Sequence, residues 1–438
     1  MQKPSRWTST DDLAARRAAL DVFQGVVVQR KAVNDTFDTA VTALEPRDRA
    51  FVRLLVATAL RRLGQIDAVI AHFVTKPPPD LVRDIFRLGA AQVLFLGTAP
   101  HAAVATTVGL VRARGQDRMT GLVNAVMRKI ATEGPAMVAE QDAARINTVD
   151  WLWQSWAAAY GPDVAAQIAL AHLGEPPVDF TLKDSATAAD WTQRLDATVL
   201  PTGSLRRFAT GRITDVDGFK DGAWWVQDVA ATFPAKILLH ALKDTGARNV
   251  VDLCAAPGGK TAQLAAAKLR VTSVDLADAR QSLLRDNIVR LKLFADVVTA
   301  DALTWRPATP ADGVLLDAPC SATGTIRRHP DLPFLKQAGD IAGFAQNQRR
   351  LLAAAAEMVK PGGFLVYSVC SLQPEEGDAV VDAVLAQVST LSRAPISPDA
   401  VNGASELLTP NGALRSFPCH WADRGGMDGF YAVLLKRA

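Results

Sequence analysis

Cysteine is scarce in this chain, with four among 438 residues, and none of the four stands in a C-x-x-C pair. That argues against a zinc site, and in a reducing compartment structural disulfides are not expected either. No stretch approaches the roughly 20 apolar residues that a membrane span needs. The first residues include Gln2, Lys3, Ser5 and Arg6, so no secretory signal is visible and a cytoplasmic protein is expected. Net charge is only +3, which permits an anionic partner without demanding one. Internal repeats and low-complexity tracts are absent as well. What remains is a soluble globular composition, 49% hydrophobic and 21% charged, on a chain too long for one ordinary core.

Residues 1–135 read as an all-α domain. Arg16–Gln29, Pro46–Leu63, Asp80–Leu96 and Gly121–Ile130 carry apolar residues three and four apart, separated by turn signals such as Lys76-Pro77-Pro78-Pro79 and Gly97-Thr98-Ala99-Pro100. Residues 136–240 are mixed. Helical Trp151–Tyr160 and Val164–His172 precede the strand candidates Val178–Leu182 and Gly211–Thr214, which suggests linking helices and a small α/β insert. Residues 241–438 alternate short apolar runs with helical stretches. The runs are Asn249–Cys254, Arg270–Val274, Asp296–Thr299, Gly313–Leu316 and Gly363–Ser368; the helices are expected at Lys260–Leu269, Ala279–Leu291, Ile341–Val359 and Glu375–Val388. That alternation predicts a Rossmann-like, mostly parallel sheet with helices on both faces. Arg415–Pro418 and Phe430–Lys436 are expected to add an antiparallel edge.

The first run opens into Cys254-Ala255-Ala256-Pro257-Gly258-Gly259-Lys260-Thr261 and then a helix. Small residues and two glycines let a backbone approach a ligand at the carboxyl end of a sheet, where helix N–H groups are free. The acid closing the next strand, Asp275, is placed to accept hydrogen bonds from ribose hydroxyls. A phosphate-binding loop would need glycine where Cys254 stands, and the pyrophosphate fingerprint is missing. A nucleoside without a diphosphate suits both absences, and S-adenosylmethionine is such a ligand.

Two further strand ends carry thiols: Asp317-Ala318-Pro319-Cys320-Ser321 and Ser368-Val369-Cys370-Ser371, the latter followed by Pro374-Glu375-Glu376. An isolated cysteine is more often a buried filler than a working group, but two thiols on the rim of one cofactor crevice suit a specific chemistry. Carbon 5 of cytosine is too weak a nucleophile to attack a sulfonium methyl. A thiolate adding to C6 makes C5 enamine-like, and a base must later remove the C5 proton so that the thiolate can leave. An acid near the N3 edge of the base, here Asp317, would favour the adduct.

The segments DLCAAPGGKT, DAPCSATG and YSVCSLQPEE resemble the motifs of the RNA cytosine-C5 methyltransferases of the Sun/RsmB family. The helical region resembles the NusB-like RNA-binding domain of its bacterial rRNA members, most closely at Gly121–Arg128. Val226-Gln227-Asp228 and Gly426-Met427-Asp428-Gly429-Phe430-Tyr431 match too, so the likeness covers nearly the whole chain. The resemblance implies a class I methyltransferase fold using S-adenosylmethionine, with Cys370 as nucleophile and Cys320 assisting product release. It implies that Cys254, Ala255, Ala256, Pro257, Gly258, Gly259, Lys260 and Asp275 hold the cofactor, Asp301 its adenine side, and that Asp317 lies between cofactor and base. Cys419 is left as a filler. Val369, Gly377 and Leu182-Lys183-Asp184 depart from the family pattern, but none removes a reacting group.

The implied partner is RNA, 16S ribosomal RNA by resemblance, at a single-stranded or loop cytosine that can be unstacked. A monomer without metal is expected. Basic residues cluster at Arg206-Arg207, Arg327-Arg328-His329, Arg349-Arg350 and in Arg112–Arg128, and Arg327-Arg328, following the Cys320 motif, are expected to contact phosphate. Transfer RNA as the substrate, and a non-catalytic ribosome-assembly factor, remain alternatives. A DNA cytosine methyltransferase would use Cys320 and leave Cys370 without a role.

Overall fold

The computed structural model describes residues 11–208 and 211–438. The described residues divide into two compact units: 11–173 with 329–337, and 174–328 with 338–438.

The first unit is helical. Asp11–Val27, Val33–Val41, Pro46–Arg61, Leu63–Phe73, Asp80–Leu94, Pro100–Ala113 and Thr120–Glu140 are its main helices, followed by Ala143–Ile146, Asp150–Tyr160 and Pro162–Ala171. Pro46, Pro100 and Pro162 stand at helix starts, where the missing N–H costs nothing. The apolar stripes meet in one core containing Leu20, Phe23, Leu55, Ile66, Phe86, Met127 and Ile130. Residues 329–337 join this unit from far along the chain. Phe334 packs against the helical core, and the Asp331 carboxylate accepts the Val33 N–H at 2.9 Å.

The second unit contains two sheets. The smaller is antiparallel, β1 (Val178–Leu182), β2 (Thr198–Val199), β3 (Leu205–Arg207) and β4 (Trp224–Val226), in the order β2-β3-β1-β4. Gly211–Thr214 is not a strand; a single 3-10 turn, Ile213–Asp215, lies there. The larger sheet contains β5 (Asn249–Leu253), β6 (Arg270–Asp275), β7 (Asp296–Thr299), β8 (Ala311–Asp317), β9 (Val359–Val369), β10 (Leu391–Ala394), β11 (Leu414–Ser416) and β12 (Phe430–Arg437). Its order is β10-β12-β9-β8-β5-β6-β7, with β11 also paired to β12. The β9-β8-β5-β6-β7 part is parallel, and β12 pairs antiparallel with both β9 and β10. The antiparallel edge is therefore deeper than expected, and β10 is its outer strand.

Alternation along the strands divides the core in two. Val251, Leu253, Val314, Leu316, Leu365 and Tyr367 face helices Asp340–Met358 and Asp378–Leu385. Val250, Leu315 and Val366 face helix Val229–Leu242. The parallel strands are covered on both sides, so they read as continuous apolar runs. Among the described residues no helix is long and apolar enough to cross a membrane, and no group of three or more His, Cys, Asp or Glu is placed to hold a metal ion.

Candidate active site

Strand order creates the crevice. The chain runs β5-β6-β7 toward one side and returns to place β8 against the other side of β5. The loops after β5 and β8 therefore diverge, leaving a cleft beyond the carboxyl ends of the strands. In the β5 loop Cys254 and Gly258 take left-handed backbone, φ +58° and +99°. A β-carbon at Gly258 would also lie 3.0 Å from Leu284 Cγ, so a glycine is needed there twice over. Ala256 donates its N–H to the Asp275 carboxylate at 3.1 Å, and Ala255 donates to the Val274 carbonyl at 3.2 Å. Asp275 is thus buried against the loop. Its other oxygen accepts the Ala277 N–H at 3.2 Å and Arg280 Nη2 at 2.9 Å. Asp301, beyond β7, accepts the Leu303 N–H at 2.9 Å and so caps its own turn.

Pro257 precedes the helix opened by Gly259 and Lys260, and that helix is braced from behind. Gln227 accepts from Trp225 Nε1 at 2.8 Å and from Thr181 Oγ1 at 3.0 Å, and donates to Gln263 Oε1 at 2.8 Å. Lys260 reaches across the cleft. Its ammonium donates to Asp317 Oδ2 at 2.6 Å and lies 5.2 Å from the centre of the Phe430 ring. The other Asp317 oxygen accepts Ser368 Oγ at 2.9 Å, so both carboxylate oxygens are oriented by the protein.

The two thiols meet because β8 and β9 are parallel neighbours with Asp317 opposite Ser368. Cys320 and Cys370, just beyond these ends and both half-buried, have sulfurs 3.5 Å apart. Gly324 donates its N–H to the Cys370 carbonyl at 3.0 Å, which ties the loops together. The Cys320 thiol is pushed well above its ordinary pKa, first by its hydrogen bond to Cys370 and then by desolvation. It therefore stays protonated at neutral pH. Burial pushes Cys254 up to about 12, and Cys419 is also raised by burial. Neither is poised as a nucleophile.

Arg327 and Arg328 do not serve as free phosphate contacts. Arg327 is 2% exposed. Its guanidinium donates to Asp428 Oδ1 and to Asp228 Oδ2, both at 2.7 Å. Arg328 joins the same two acids at 3.2 and 2.5 Å. Arg206 is buried on Asp179, with bonds of 2.6 and 2.7 Å. The Asp179 carboxylate also accepts the Val229 N–H at 3.0 Å. Three guanidinium and three carboxylate groups thus join the small sheet, the start of helix Val229–Leu242, the segment after Cys320 and the Gly426–Gly429 loop. Gly324 touches that last loop so closely that a β-carbon would lie 2.0 Å from the Gly429 carbonyl oxygen.

Residues 239–436 match the family model for the 16S rRNA methyltransferase RsmB/F, and residues 13–132 match that of the NusB family. The Ribosomal RNA small subunit methyltransferase B of Sodalis glossinidius (strain morsitans) is 33% identical over 443 residues, covering 97% of each chain. The chain belongs to the RsmB/F family. The enzyme of the same name from Pseudomonas syringae pv. tomato is 32% identical, again over 97% of each chain. Among solved structures, PH0851 superposes with a TM-score of 0.75 at 21% identity, covering 100% of both chains. NSun6 from Pyrococcus horikoshii, solved with SFG, gives a TM-score of 0.55 at 17% identity, over 66% of this chain and 98% of that one. These two share the fold of this RsmB/F chain.

Sequence reasoning about this RsmB/F chain missed two polar side chains at the site, Ser368 on Asp317 and Arg280 on Asp275. Ser368 stands in a quoted motif and Arg280 lies five residues beyond Asp275, in the helix that begins at Asp278, but their contacts depend on strand register and helix placement. Gln227 and Asp228 were visible only as a matching segment. The structure gives them work: one braces the helix that follows the β5 loop, and the other accepts the Ala230 N–H at the start of its helix at 2.8 Å.

Proposed function

We propose that this RsmB/F chain transfers the methyl group of S-adenosylmethionine to carbon 5 of a cytosine in 16S ribosomal RNA, with Cys370 as nucleophile and Cys320 assisting release. The observation that carries the reading is the 3.5 Å separation of the two sulfurs at the ends of adjacent strands. The assignment of Cys370 as the nucleophile follows the family resemblance of its motif, since either sulfur can donate to the other across this contact.

The residues fit the cofactor. The left-handed Gly258 loop admits close approach, and the loop has no phosphate-binding pattern. The Asp275 carboxylate holds Arg280, whose side chain is 57% exposed and can give way to ribose hydroxyls. Asp301, two residues beyond β7, would hold the adenine side. Bound there, S-adenosylmethionine supplies an electrophilic methyl group. The Cys370 thiolate would form a bond to C6 and the electron pair move onto C5, which would take the methyl group as its bond to the sulfonium breaks and S-adenosylhomocysteine leaves. Asp317, oriented by Lys260 and Ser368, stabilises the adduct at the N3 edge. Cys320, once it has given up its own proton, takes the C5 proton; the C5–H electron pair forms the C5–C6 double bond as the C6–S bond breaks and its pair returns to Cys370 as thiolate. The helical unit, as a NusB-family domain, supplies RNA affinity.

Incubating the protein with S-adenosylmethionine and unmodified 16S rRNA, then digesting to nucleosides, tests this by mass spectrometry. 5-Methylcytidine is expected. Methylation at another atom, or of transfer RNA alone, would overturn the corresponding part of the proposal.

A further inference from the structure

One buried carboxyl group spans both cysteine loops. Glu376 ends the turn Pro374–Glu376 and is fully buried. Its Oε1 accepts the Ser321 N–H at 2.9 Å and Gln348 Nε2 at 2.9 Å. Its Oε2 accepts the Ser371 hydroxyl at 2.5 Å and also the Ser321 hydroxyl. Ser321 follows Cys320, and Ser371 follows Cys370. Gln348 donates in addition to the Pro319 carbonyl at 2.9 Å, on the other side of Cys320. The Glu376 backbone is fixed in turn, because its carbonyl accepts the Tyr367 hydroxyl from β9 at 2.7 Å.

The two serine oxygens lie 3.0 Å apart. With Oε2 they form a triangle of three oxygens, so one side chain of Glu376 ties both hydroxyls together. Ser321, Ser371, Gln348 and Glu376 are all fully buried, so water does not compete for the carboxylate.

We propose that Glu376 is a positioning residue that sets the separation of Cys320 and Cys370 by holding the residue that follows each. Its effect on catalysis rests on the proposed function; its effect on thiol spacing does not.

Diamide reads the spacing directly. It accepts two electrons and two protons from a thiol pair, becoming the hydrazine as the two sulfurs join in a disulfide. The full-length E376A and E376Q variants are treated with diamide, and the Cys320–Cys370 peptide is timed by mass spectrometry. Cofactor affinity and methylation of 16S rRNA are measured alongside. In E376A, disulfide formation is expected to slow about tenfold or more and kcat to fall about 100-fold, the scale of an approximately 1 Å misplacement. KM for S-adenosylmethionine should not change. E376Q is expected to recover most of both rates, because its amide oxygen retains Ser321 N–H and Gln348 while the rotating hydroxyls accept from its nitrogen. Wild-type cross-linking in folded E376A overturns the proposal. If E376A does not fold, S371A is read in the same way: slower cross-linking supports the clamp and an unchanged rate overturns it. Slow cross-linking in E376A, with a wild-type protein that makes no 5-methylcytidine, would sustain the spacing role and overturn the proposed function.

Discussion

Asp228 is the keystone of the buried ion network, and removing it tests whether that network holds the second unit together. Its carboxylate accepts Arg327 Nη2 at 2.7 Å, Arg328 Nη2 at 2.5 Å, the Ala230 N–H at 2.8 Å and the Asp428 N–H at 3.0 Å. Burial opposes its ionisation, but the charges of Arg328 and Arg327 hold it well below the usual carboxylate range. In D228A the Arg327 guanidinium, 3% exposed, loses one of the two acids that neutralise it. Breaking a buried pair from one side costs about 3–5 kcal/mol, and the lost helix cap adds about 1 kcal/mol. The sum, about 4–6 kcal/mol, is a large share of the roughly 5–15 kcal/mol that folding usually leaves. Amide exchange of the Val250–Leu253 backbone under native conditions reads the stability of this unit in the full chain. A loss below about 1 kcal/mol would refute the reasoning and show that water or relaxation replaces Asp228. D228A and D428A should also fail to add, because both acids serve Arg327 and Arg328.

Asp252 should give stability an unusual pH dependence. It is fully buried in β5 and accepts Thr261 Oγ1 at 2.6 Å, while its other oxygen has no partner. Burial pushes its carboxyl up to about 7. Its folded value lies above the unfolded value near 3.9, so its contribution is complete below about pH 4 and is lost as pH rises toward about 7, by about 4 kcal/mol in all. The stability of D252N relative to wild type should therefore rise by about that amount between about pH 4 and 8; parallel denaturation curves would contradict it. D275A removes the acceptor of Ala256 and Arg280, and should weaken S-adenosylmethionine binding by about 1–3 kcal/mol. Unchanged affinity by calorimetry, in a folded variant, would exclude the ribose role.

The parallel sheet was legible because its strands are apolar runs alternating with helical stretches. The candidate site could be marked from sequence because Asp275 and Asp317 end strands and Cys320 and Cys370 lie just beyond them. What stayed hidden depends on distant partners. Strands β2, β3 and β4 are two or three residues long, too short for any periodicity to show. Residues 329–337 follow a motif of the second unit, but Asp331 pairs with Val33, 298 residues away. Deleting the helical region would therefore strip this segment of its packing partners. A pair such as Arg327-Arg328 looks the same in sequence whether solvated or buried. Its acids, Asp228 and Asp428, stand 99 and 101 positions from Arg327.

The division of labour between the two thiols can be measured directly. Wild type, C320A, C370A and the double variant are incubated with 16S rRNA and S-adenosylmethionine, then run on denaturing gels. A Cys370 nucleophile forms the bond to C6, and without Cys320 the methylated adduct cannot be resolved. Gel-stable protein–RNA species should therefore accumulate for C320A and be absent for C370A and the double variant. An adduct with C370A and none with C320A would contradict the account at its centre.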